Sequence, residues 1–161
     1  MTIRTAVLAA ASLCLCAVPQ ARAATADISP DELVSCAQGP AASGALCISQ
    51  ALEPCDAVVP ETPAVAALCY TQAREVFEAD FPSALEAVTA KEGEATGAEA
   101  RIVVKYEVLT RALLCERDME LLALEGAPED EITRRQARCM ALVTGDIWLR
   151  LRLTTAPRPK P

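Results

Sequence analysis

Apolar residues recur at helical spacing wherever proline and glycine allow, and no strand is predicted. The longest such region, Arg101 to Leu153, reads as two helices folded back on each other at Glu125-Gly126-Ala127-Pro128. Gly126 is suited to stop the first helix, and Pro128 to take the first position of the second. In the first helix, which begins near Ala98, Ile102, Tyr106, Leu109 and Leu113 follow a 4-3-4 spacing that predicts a buried face. Val103, Leu114 and Leu121 widen that face, and Arg101, Lys105, Glu116 and Asp118 fill much of the remainder. In the second helix, Ile132, Cys139, Leu142, Val143 and Ile147 form the predicted buried stripe. Glu129, Asp130 and Glu131 stand in its first turn, where the helix dipole favours acids.

Upstream, proline sets the punctuation. Ser29-Pro30-Asp31-Glu32 predicts a helix start, with Ser29 as cap, Pro30 first in the helix and Glu32 closing a capping box. This helix ends near Cys36-Ala37 because Gly39-Pro40 cannot continue it. Ser43 or Gly44 opens a second helix carrying Cys47, Leu52 and Cys55, which fades by Val59-Pro60. Thr62-Pro63 repeats the cap-and-proline start, and a third helix runs through Cys69, Val76 and Phe77. Pro82 is expected to kink or end it, or Asp80-Phe81-Pro82-Ser83 to restart one with Leu85 and Val88 on its buried side. Lys91 to Gly97, polar and with two glycines, predicts a surface loop. The fold class predicted is all-α: a small disulfide-stapled domain of about four to five helices, with a long antiparallel C-terminal helix pair.

The first residues change the compartment. Met1-Thr2-Ile3-Arg4 is a short positive start, and Ala6 to Val18 is apolar but too short to span a bilayer. Ala21-Arg22-Ala23 supplies small residues where a signal peptidase reads them, so residues 1–23 read as a secretory signal peptide. Leu13 and Leu15, just before Cys14 and Cys16, do not fit a lipoprotein signal. The division expected is a signal peptide at 1–23, a helical domain at 24–153 and a disordered Pro-rich tail at 154–161, whose alternating prolines forbid a helix. The exported chain is expected to be periplasmic, with no membrane anchor.

Of the eight cysteines, Cys14 and Cys16 leave with the leader. Cys36, Cys47, Cys55, Cys69, Cys115 and Cys139 remain, an even set that an oxidising compartment turns into a disulfide framework. Fifteen connectivities are open to six cysteines. Cys115 and Cys139 stand equidistant from Ala127 in the proposed turn, so an antiparallel pair sets them at one height. Cys36 and Cys47 likewise flank Gly39-Pro40, and Cys55 and Cys69 flank the Pro60 to Pro63 break. The pattern Cys36–Cys47, Cys55–Cys69, Cys115–Cys139 is therefore the simplest fit, with Cys115–Cys139 the best supported of the three.

Charge and missing residue types bound the function. The chain carries a formal charge of −7, and loss of Arg4 and Arg22 with the leader takes it to −9. Such a chain repels nucleic acid and anionic lipid and favours a cationic partner, although acidity also simply maintains solubility. With no histidine, Ser-His-Asp and Cys-His catalysis and His-based metal sites are excluded. There is no Gly-rich phosphate loop and no Cys-x-x-Cys pair. Neither enzyme activity nor a cofactor is expected. Trp148, the sole tryptophan, reads as core or rim packing, with a partner anchor as the alternative.

The cysteine-bearing segments resemble the LprI-like lysozyme inhibitor family of small exported helical bacterial proteins. The resemblance rests on Cys69 opening a helix that carries Glu78, on Arg111-x-x-x-Cys115 and Cys139-x-x-x-x-Thr144, and on the Cys36, Cys47, Cys55 prelude; it spans Cys36 to Leu153. The family's Gln and Trp are Val104 and Glu107 here, its Asp after Arg111 is Ala112, and Pro82 stands in place of an Asn. What the resemblance implies is a protein partner, lysozyme, whose basic surface would attract an acidic chain, blocked without any catalytic group. The resemblance names no binding surface; the acidic turn Glu125, Glu129, Asp130 and Glu131 is a candidate, and helix capping explains those acids equally well. The alternative is an exported structural or adaptor domain of the same fold that inhibits no lysozyme.

Overall fold

The computed structural model describes residues 26–39 and 43–157. The expected leader, the stop at Pro40 and the tail residues 158–161 lie outside them. Among the described residues there are six helices and no strand: α1 (Pro30–Ala37), α2 (Gly44–Ala51), α3 (Glu53–Asp56), α4 (Pro63–Glu92), α5 (Glu94–Leu124) and α6 (Glu129–Thr155). The fold is all-α and disulfide-stapled, with a long antiparallel α5–α6 pair.

Several helix boundaries differ from the sequence reading, each for a local reason. Pro30 takes the first position of α1, but Ser29 makes no side-chain capping bond, so the capping box with Glu32 does not form. The second expected helix is two. Pro54 has no N–H to give the Gln50 carbonyl and would crowd it, so α2 stops at Ala51 and α3 restarts beyond Leu52. Pro82 neither ends nor restarts α4, which runs on to Glu92. Its ring faces outward, while Phe81, Ala84 and Val88 beside it pack inward and hold the helix together. The expected loop Lys91 to Gly97 shrinks to Gly93 alone, at φ 94°, a conformation that favours glycine. Gly97 lies inside α5, where a Cβ would stand 2.8 Å from Thr89 Cβ of α4; a missing side chain lets these two helices touch. At the other end of the pair, Gly126 (φ 82°) closes a Schellman turn: its N–H bonds Ala123 O and the Ala127 N–H bonds Leu122 O, both at 3.1 Å. Pro128 caps α6 from just outside rather than occupying its first position. The helix extends through Thr155, past the predicted edge of the tail, and Pro157 O accepts from Gln38 Nε2 at 3.0 Å.

The main core joins α1, α2, α3, α4 and α6 around Trp148, Tyr70, Phe77, Ile48, Leu52 and Leu149. Trp148 is fully buried, so core packing is its role. It lies 5.3 Å from Phe77, ring centre to ring centre, and its Nε1 donates to Asp80 Oδ2 at 2.8 Å. The buried residues of α6 are Ala141, Thr144, Gly145, Ile147, Trp148, Leu149 and Leu151, a face rotated from the predicted stripe. Of that stripe only Ile147 is fully buried; Ile132, Cys139, Leu142 and Val143 are half-buried. No residue of α5 belongs to the main core. This helix touches α4 and α6 only, and adds Ala100 and Val104 to a small cluster with Ala84, Val88 and Leu151.

Candidate binding surfaces

Three cysteine pairs lie at disulfide distance: Cys36–Cys47, Cys55–Cys69 and Cys115–Cys139, with Cα separations of 6.0, 5.5 and 5.9 Å. The last fixes which side of α5 meets α6. With Cys115 buried, the residues at helical spacing from it, Val104, Val108 and Arg111, turn inward as well. Polar contacts reinforce the seam. Arg111 Nη1 donates to Asp146 Oδ2 at 2.7 Å, and Arg150 approaches the same oxygen at 3.5 Å while pairing with Glu107. The resulting ladder Arg111–Asp146–Arg150–Glu107 ties the two helices together. Sequence reasoning did not find it, although the opposite charges at facing heights of the hairpin are its signal.

The predicted core face of α5 is therefore outside. Ile102, Tyr106, Leu109 and Leu113 are all more than half exposed, and Val103, Leu114 and Leu121 are exposed too. The physical reason is that α5 is apolar on both sides, so period alone does not choose the packed one. The disulfide and the small residues Gly97 and Ala100 do: they allow the closest approach, and the larger side chains are left to solvent. The stripe flanks a groove of about 490 Å³ between α4, α5 and α6, lined by Val88, Val103, Val104, Ile147 and Leu151, with Glu92 and Glu99 at its edge.

At the hairpin tip the four predicted acids divide. Glu125, Glu129 and Asp130 are exposed, whereas Glu131 is half-buried and held by its own helix. Hydrogen bonds from Arg134 and Arg135, at 2.7 and 2.6 Å, bring its carboxyl down to about 2 against the cost of burial. Asp130 Oδ1 accepts only from the Glu131 N–H, at 2.9 Å. Leu124 stands among the exposed acids and is 85% exposed, the most open large apolar residue described.

A further polar cluster joins α3, α4 and α6. Asp56 accepts from the Tyr70 hydroxyl and from Arg138 Nε at 2.8 Å. Burial alone would raise the Asp56 carboxyl; the bonds from Arg138 and Tyr70 and the Arg138 charge outweigh it and hold the group below its usual value. Burial and the bond to Asp56 push Tyr70 up to about 12. Each member is satisfied by another, which makes the cluster a clamp between helices. No group of three or more metal-ligating side chains is present among the described residues. No described helix is long and apolar enough to cross a membrane. Comparison of the chain with protein-family models, with curated proteins and with solved structures finds no match.

Proposed function

We propose that the chain is an exported, lysozyme-inhibitor-like binding protein that acts by surface blockage of a basic partner, with the tip of the α5–α6 hairpin as its blocking surface. The observation that carries this reading is Leu124, 85% exposed beside the exposed carboxylates of Glu125, Glu129 and Asp130, none of them in an ion pair among the described residues. An apolar anchor rimmed by acids suits a cleft with a basic border: the carboxylates steer encounter, and the buried leucine slows release. The tip is also stiff. The Schellman turn, the Glu131–Arg134 and Glu131–Arg135 bonds and the Cys115–Cys139 bridge hold it, so little ordering cost remains for binding. The resemblance of the cysteine segments to LprI-like proteins, and the −9 charge expected after export, favour lysozyme among basic partners. Three disulfides suit the oxidising periplasm.

One observation favours the adaptor alternative. Where the family carries Gln and Trp, Val104 packs inward and Glu107 is held by Arg150, so both positions serve the scaffold. A cell-wall lysis assay separates the two readings. The oxidised chain from Ala24 should slow c-type, g-type or phage-type lysozyme dose-dependently, and Leu124→Ser with Asp130→Lys should abolish the effect without changing the helical circular dichroism. No inhibition of any class at micromolar excess overturns the inhibitor reading and leaves the adaptor.

A further inference from the structure

Beyond the hairpin tip, and independent of how the tip is used, the outer face of α5 lacks a cover in the single chain. Six large apolar side chains, Ile102, Val103, Tyr106, Leu109, Leu113 and Leu114, lie on it, each close to half exposed or more. Together they present on the order of 500 Å² of apolar area, at the upper end of what a monomer leaves open. We propose that this face is covered by α5 of a second copy of the chain, packed antiparallel about a two-fold axis through the level of Val108.

The argument is the self-complementarity that a two-fold interface demands: the residue opposite i must suit i from both sides. About Val108 the outer levels of the exposed face match in both directions. Ile102 falls level with Leu114 of the second copy and Val103 with Leu113, so the apolar ends of the span meet each other; at the centre Tyr106 falls level with Thr110, and Leu109 with Glu107, whose charge Arg150 of its own chain already pairs. At the two ends of the span stand Glu99 and Arg117, about five helical turns apart and therefore on one line of the helix. In this register Glu99 of each copy meets Arg117 of the other, twice over. Both are free to do so among the described residues. Glu99 is exposed with no ion pair, and Arg117 is bound only to its sequence neighbour Asp118, at 2.7 Å on the surface. Leu121 falls level with Ala95, extending the apolar match without introducing a charge.

The surroundings allow the approach. α5 packs on α4 and α6 only, both through its opposite side, so its outer face is unobstructed. Leu114 of the second copy would reach the lip of the apolar groove beside Val103, with Arg117 near the acids Glu92 and Glu99 at its edge. The 4-3-4 spacing of Ile102, Tyr106, Leu109 and Leu113 is that of a helix seam meeting another helix. An interface of this size, at the low end for specific association, gives affinity on the order of micromolar. In the dimer the two acidic tips point to opposite ends and stay free.

The test is sedimentation velocity on the oxidised chain from Ala24, with no other protein present, from about 1 to 300 μM, with circular dichroism melts as a fold check. The dimer is expected to populate across this range. Leu113→Asp should leave a monomer with an unchanged melt at 1 μM. Glu99→Arg alone, or Arg117→Glu alone, places two like-charged pairs in the interface and should weaken association by about tenfold. The exchange Glu99→Arg with Arg117→Glu should restore it to within about threefold. A chain monomeric throughout, a dimer indifferent to Leu113→Asp, or a double exchange no better than the single ones overturns the proposal. None of these outcomes depends on lysozyme, so failure of the inhibitor reading and failure of this one are separable.

Discussion

The indole N–H of Trp148 donates to Asp80 Oδ2 at 2.8 Å, and the other Asp80 oxygen accepts from Arg152 Nη2 at 3.1 Å. One carboxylate on α4 thus satisfies both a fully buried donor and a half-buried cation on α6. Removing it leaves a buried N–H without a partner and a guanidinium without a counter-charge. Asp80→Ala is therefore expected to cost about 2–4 kcal/mol, above an ordinary surface change. Asp80→Asn keeps an acceptor for the indole and should cost less. Urea unfolding followed by Trp148 fluorescence measures both, and equal costs for the two variants would contradict the role given to the indole bond.

Stability should fall at both ends of the pH range, through different groups. The Asp56 and Glu131 carboxyls are lowered in the folded chain, so the unfolded chain binds more protons as pH falls. Their contribution is complete above the ordinary carboxylate range and is lost on acidification toward about 2 for Glu131. Tyr70 behaves oppositely. It is raised to about 12, so the folded chain holds its proton longer than the unfolded one. Its contribution is complete below about 10 and lost as pH rises to about 12. Urea midpoints across pH should show both limbs, and Tyr70→Phe should flatten the alkaline one. An unchanged alkaline limb in that variant would place its cause elsewhere.

The Cys115–Cys139 bridge closes a loop with a sequence separation of 24, and it anchors a helix that adds little to the main core. Replacing both cysteines with alanine should cost about 2–4 kcal/mol, partly through the freed unfolded chain. The local effect is more specific. Amide exchange should accelerate at least about tenfold along α5, while the amides of α4, sealed by Tyr70, Phe77 and Ala84, keep most of their protection. Uniform acceleration across the chain would mean that α5 is as integral as α4.

What could be read in the sequence was mostly local. Gly126 and Pro128 announced the hairpin because a helix stop and start need particular backbone conformations. The cysteines flanking each turn marked the pairs that the structure contains. Proline was less decisive: Pro54 breaks α2 from α3, yet outward-facing Pro82 is carried inside α4 by its buried neighbours. The facing of α5 was not legible from periodicity, since Ile102, Tyr106, Leu109 and Leu113 repeat as regularly as Val104, Val108, Arg111 and Cys115. A cue was nevertheless present. If Cys115 bonds Cys139, the side of α5 bearing Cys115 must meet α6, and the line through Leu113 must point away. The acidic tip was visible in outline, but its division into exposed Glu125, Glu129 and Asp130 and arginine-bound Glu131 depends on Arg134 and Arg135.

That reversal sets two leucines against each other. Leu109, on the line that periodicity assigns to the core, is about half exposed, whereas Leu149 on α6 is fully buried against the main cluster. If burial governs, Leu149→Ala leaves a cavity and costs about 2–5 kcal/mol. Leu109→Ser removes only a side chain already in water and costs less than about 1 kcal/mol. The comparison is made by thermal unfolding at about 1 μM, dilute enough that self-association through α5 does not mask the difference. Should Leu109→Ser lower the midpoint as far as Leu149→Ala, the face of α5 bearing Ile102, Tyr106 and Leu113 would have to be inside the folded chain. The bond between Cys115 and Cys139 would then have to form from the other side of the helix, which the inward turn of Val104, Val108 and Arg111 does not allow.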